Sequence, residues 1–128
     1  MSNDSIRLMN CASRSCLNMS DFAAYTALLE DINRISGQDG LIVSRRLMDE
    51  SRELQDAVIR GRRAEVLDEL ADTVFFTMRL ALMHGISVEQ VFTYGERKVS
   101  LRNRMGKDKP RELSLARQIL EKNSDRTV

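Results

Sequence analysis

Apolar residues recur at helical intervals through most of the chain after residue 20. Phe22, Tyr25, Leu28, Leu29, Ile32 and Ile35 fall on one stripe, the three-and-four spacing of an amphipathic helix. Ser20 or Asp21 can cap it, and the run Gly37-Gln38-Asp39-Gly40 ends it. A second helix is predicted from about Leu41 to Arg60, with Val43, Leu47, Leu54 and Val58 inward and Gly61 as its breaker. A third starts near Arg63, carries Val66, Leu67, Leu70, Val74, Met78 and Leu82, and stops at His84-Gly85, with glycine just past the helix end. Ser87-Val88-Glu89-Gln90 fits a capping box. It opens a fourth helix through about Arg104, with Val88, Val91, Phe92, Val99 and Leu101 as apolar positions. Gly106 and Lys107-Asp108-Lys109-Pro110 form a turn, and Pro110 suits the first turn of a fifth helix docked by Leu113, Ala116, Ile119 and Leu120. Alternating strand-like runs are few, and there are only six Gly and one Pro. The fold class is therefore all-α, a four- to five-helix bundle.

The 128 residues, 42% of them hydrophobic, support one modest core and one domain. Its expected extent is residues 20–122. Residues 1–19, rich in Ser and Asn, read as a flexible arm, and residues 123–128 as a frayed tail. Cys11 and Cys16 make a C-x4-C pair without further Cys or His partners, so free thiols of a cytosolic protein are expected rather than zinc or a disulfide framework. The first residues lack the pattern of a signal peptide. The most apolar stretch, Val74 to Ile86, is too short for a span and contains Arg79 and His84. A soluble, cytoplasmic protein with no membrane partner is expected.

A formal charge of +1 excludes a strongly basic binder of nucleic acid polymers. The charges are nevertheless segregated. Asp49, Glu50, Glu53, Asp56, Glu65, Asp68, Glu69 and Asp72 form an acidic block, and Arg97, Lys98, Arg102, Arg104, Lys107, Lys109, Arg111 and Arg117 a basic one. The first block suits a cation and the second an anion such as a triphosphate. Two solvated faces are the plainer alternative.

Within the acidic block, Glu50 and Glu53 are three residues apart, as are Glu69 and Asp72. Residues at that spacing share one helix face, with Cβ atoms about 5–6 Å apart. Glu53 lies eight residues before Gly61 and Glu69 eight after it. Antiparallel helices joined at Gly61 thus bring both pairs to one level, about 12 Å from the turn. Four clustered carboxylates repel one another and need a compensating cation. For an all-oxygen set that cation is Mg²⁺, with Mn²⁺ possible in its place.

The segments DESREL and DELADTVFF at this separation, followed by an HGIS turn and a basic fourth helix, resemble the MazG-like all-α nucleoside triphosphate pyrophosphohydrolases. The resemblance covers roughly Leu41 to Lys107. Asp49 stands where that family's E-E-x-x-E motif has its leading Glu. The resemblance implies that Glu50, Glu53, Glu69 and Asp72 bind Mg²⁺, and that Lys98 and Asn103, with Arg102 and Arg104 as rivals, contact phosphates. Glu53 is the chosen general base. The implied reaction is hydrolysis of a nucleoside triphosphate to its monophosphate and pyrophosphate, a nucleotide-pool cleaning role, by a homodimer or homotetramer whose subunits complete each other's bundle. Phosphoribosyl-ATP pyrophosphohydrolase is the nearest alternative, and a non-catalytic helical interaction protein the more distant one.

Overall fold

The computed structural model describes residues 19–124. Most of the arm expected at the N-terminus, both cysteines and the last four residues lie outside the described residues. Five helices follow in order: α1 (Met19–Ser36), α2 (Gly40–Arg60), α3 (Arg63–Met83), α4 (Val88–Met105) and α5 (Lys109–Ser124). No strand occurs among the described residues, so the all-α class holds.

Local chemistry sets the breaks. The Asp39 side chain accepts a hydrogen bond from the Ile42 amide at 2.9 Å and starts α2. Gly61 closes α2 at φ 68°, a left-handed conformation that costs glycine little. Its amide donates back to the Ala57 and Val58 carbonyls. Two residues then separate α2 from α3, so the chain turns straight back on itself as an antiparallel hairpin. The expected capping box is present at α4: the Gln90 amide donates to the Ser87 hydroxyl at 3.1 Å, and the Ser87 amide to Gln90 Oε1 at 2.8 Å.

The most extensive packing is between α2 and α3. α1 lies against α3 and α4, while α5 folds back on α4 alone. The core at the α1–α3–α4 junction is Leu29, Met78 and Val88, enclosed by Phe22, Tyr25, Phe75, Leu82 and Val91. Several expected core positions face outward instead. Leu67, Leu70, Val74 and Val58 on the α2–α3 hairpin, and Leu113 on α5, are exposed. The helical period was right, but the apolar stripe is wider than a single chain can cover.

Candidate metal centre

The α2–α3 hairpin brings the acidic pairs together. Carboxylate oxygens of Glu50, Glu69 and Asp72 all lie within 4.8 Å of one another. Glu50 is buried at 6% exposure, and Glu69 and Asp72 are half-buried. Oε2 of Glu50 and Oε2 of Glu69 are sealed from solvent without a hydrogen-bond donor. Orphaned buried anionic oxygens are costly, so this donor set fits a hard divalent cation.

Electrostatics record the same crowding. Glu50 is pushed up to about 7, first by a hydrogen bond that its protonated form makes to Glu53, then by burial and by the charges of Glu53, Asp72 and Glu69. Burial also raises Glu69, reinforced by Glu53 and Asp72 and opposed by a hydrogen bond from Glu50. Among the described residues, the one cation paired with the cluster is weakly placed: Arg46 Nη2 stands 3.7 Å from Glu50 Oε1 and its guanidinium lies over the Phe76 ring, 5.5 Å from the centroid.

Glu53 differs from the other three. It is exposed and lies at the rim beside Glu50, outside the close triad. Three-residue spacing put it on the same face as Glu50 but could not show this difference in depth. Asp49 is exposed as well.

A family model described as phosphoribosyl-ATP pyrophosphohydrolase matches residues 31–98, just over half of the chain, and spans both acidic pairs. The chain belongs to that family. It thereby belongs to the MazG-like all-α nucleoside triphosphate pyrophosphohydrolase superfamily, and the match supports pyrophosphohydrolase activity. No curated protein and no solved structure matches the chain.

The expected phosphate contacts of this family member sit elsewhere in the fold. Arg102 grips Glu112 on α5 with two hydrogen bonds, Nε to Oε2 at 3.1 Å and Nη2 to Oε1 at 2.8 Å. Lys98 Nζ is 3.7 Å from the same carboxylate and 5.6 Å from the Tyr94 ring centroid. Glu112 is fully buried and also accepts the Asp108 amide at 3.1 Å. Its hydrogen bonds to Arg102 hold it down at about 2, against the opposing effect of burial. Within this chain Lys98 and Arg102 therefore tie α4 to α5, and α2 touches neither of those helices. Asn103 is exposed.

Sequence reasoning missed Glu112 and Arg79. Glu112 had no part in the sequence reading; its signal was its place one turn after Asp108 and ten residues after Arg102. Arg79 was visible only as a charge interrupting an apolar run.

Proposed function

We propose that the protein is a divalent-metal-dependent hydrolase of nucleoside triphosphates, releasing the monophosphate and pyrophosphate. The observation that carries this reading is the convergence of Glu50, Glu69 and Asp72 across the α2–α3 hairpin, with two buried oxygens lacking donors. Glu50, Glu69 and Asp72 would hold Mg²⁺, or Mn²⁺ in its place, and Glu53 completes the set at its rim. A bound Mg²⁺ would neutralise charge on the phosphates and make a coordinated water more acidic.

The chain's own contribution is positioning and proton transfer. Packing and burial fix Glu50 in place, while Glu53 remains exposed at the rim. From there Glu53 accepts the proton of the attacking water as its oxygen bonds phosphorus. The α–β bridging bond then breaks, and pyrophosphate leaves. Lys98, Arg102 and Asn103 reach phosphates in this scheme only where a second subunit presents its α4 to the hairpin. The exposed apolar face of α2 and α3 (Leu41, Ile59 and Leu67 among its residues) supports such a homodimer or homotetramer.

One observation favours a second substrate. The matching family model carries the name of the phosphoribosyl-ATP enzyme, which makes that nucleotide the first to test beside ordinary triphosphates. A pyrophosphate-release screen over ordinary and damaged triphosphates and phosphoribosyl-ATP, with and without Mg²⁺, tests the proposal. Metal-dependent pyrophosphate release that Asp72→Asn reduces at least a hundredfold is expected. Absence of release from every substrate, with no stabilisation by the metal, supports the helical interaction protein instead.

A further inference from the structure

Lys98 and Arg102 meet Glu112 on one flank of the α4–α5 seam. The opposite flank keeps a basic surface of its own. α4 carries the pattern R-x-x-S-L-x-x-R from Arg97 to Arg104, and α5 repeats it as R-x-x-S-L-x-x-Q from Arg111 to Gln118. Residues spaced in this way share one helix face. The two faces form the walls of a groove of about 360 Å³. Within it Leu101 and Leu115 are half-buried, and the Arg, Ser and Gln side chains around them are exposed. Arg104, a rival for phosphate in the sequence, therefore belongs to this flank and not to the one that holds Lys98 and Arg102.

The groove is positive along its length. No acid lines it. Arg97 and Arg104 pair with no carboxylate among the described residues. Arg111 is the tied one: its Nε is 3.3 Å from Asp108 Oδ2, and Nη1 donates to Met105 Sδ at 2.9 Å. Because α5 folds back along α4, Arg104 and Arg111 stand at the turn end and Arg97 at the far end. Seven residues of helix set Arg97 about 10 Å from Arg104 along the axis. Among the described helices α5 packs on α4 alone, and α2 touches neither, so the groove stands apart from the metal centre.

We propose that this groove docks an acidic amphipathic helix of another protein. Charge at both ends with leucine between them selects the occupant. A small phosphate anion fills one end and leaves Leu101 and Leu115 in water. A nucleic-acid strand finds no aromatic ring in the groove on which to stack its bases. A helix has the same rise per residue as the walls. Its acids at i and i+7 meet Arg97 and Arg104, while apolar residues at i+3 and i+4 cover the two leucines. That is helix-in-groove recognition, with anchors at helical spacing. The guanidiniums set register and select for acidic partners more than they add affinity. The inference is independent of the hydrolase reading and gives the protein a partner beside its substrate.

Fluorescence anisotropy of a labelled helical peptide tests this on the full chain in chelator. The peptide carries Glu at i and i+7 and Leu at i+3 and i+4, and a scrambled peptide of the same composition is the control. Saturable binding at least tenfold tighter than that of the scrambled peptide is expected. Arg97→Glu should weaken it at least tenfold, because it sets a like charge against the peptide's acid. Ser100→Glu should do the same without removing an arginine, and it carries the test if Arg97→Glu does not fold. Equal binding of the two peptides, or binding that both substitutions leave intact, overturns the proposal. So does displacement of the peptide by an oligothymidylate or by inorganic pyrophosphate, which assigns the groove to phosphates. A fall in molar mass of the Arg97→Glu protein, read by light scattering, assigns it to a contact between copies of this chain and overturns the proposal as well.

Discussion

A carboxyl group pushed up to about 7 is close to half-protonated at neutral pH, and Glu50 is such a group. Its folded-state value lies above its unfolded value near 4.5, so the folded metal-free protein binds the proton more tightly than the unfolded chain does. The stability contributed by protonated Glu50 is therefore present below about 4.5 and lost as pH rises through about 7. Thermal unfolding in chelator should show that loss, and Glu50→Gln should remove that component. Glu112 has the opposite sign. Held at about 2 by Arg102, it stabilises the fold above its ordinary carboxyl range and loses that contribution as pH falls from about 4.5 to about 2. Glu112→Gln leaves Arg102 without its acid and should flatten the acid limb of the melting profile. The contrast between these two residues was beyond the reach of the sequence, since both are glutamates in charged helical segments. What separates them is the neighbour each meets across a turn: further carboxylates for Glu50, two basic groups and an amide for Glu112.

At the scale of elements, local signals carried most of the information. Asp39, Gly61, Ser87 and Gln90 mark helix ends through their own backbone chemistry, and such signals need no tertiary context. Ser87→Ala removes the acceptor of the Gln90 amide and should cost about 1 kcal/mol in denaturant unfolding. The short link at Gly61 fixed the register of the two acidic pairs, which is why their convergence, though not the separate place of Glu53, was legible in the sequence. Leu29, fully buried at the α1–α3–α4 junction, was also legible from its stripe. Leu29→Ala should destabilise the fold by about 3 kcal/mol, while Leu67→Ala, on an exposed face, should change monomer stability little. Less legible was the partner of each helix. Lys98 and Arg102 lie on the basic helix the sequence pointed to, yet α4 packs on α5 and away from α2, which redirects both side chains to Glu112. Periodicity gives a helix its inward face without naming the neighbour that covers it.

For the molecule as a whole, the apolar surface left on the α2–α3 hairpin is the feature a single chain does not resolve. Val58, Ile59, Leu67, Leu70 and Val74 are exposed together around the turn and along α3, a patch of the kind soluble monomers rarely retain. No helix among the described residues is long and apolar enough to cross a membrane. In the proposed homo-oligomer a second subunit covers this patch. Light scattering after size exclusion should give a dimer or tetramer, and Leu67→Lys should shift it toward monomer. Activity should fall with that shift if the basic α4 residues act across the interface. All of this depends on the acidic triad being a cation site, and one measurement addresses that directly: the melting temperature of the intact protein titrated with Mg²⁺, beside Glu50→Gln. A site-specific cation stabilises by about 2.7 kcal/mol at a hundred times its Kd. A saturable rise is expected for the unaltered protein, and for Glu50→Gln a higher starting temperature with no further rise. A melting temperature indifferent to Mg²⁺ and Mn²⁺, or an equal rise in both proteins, would contradict it.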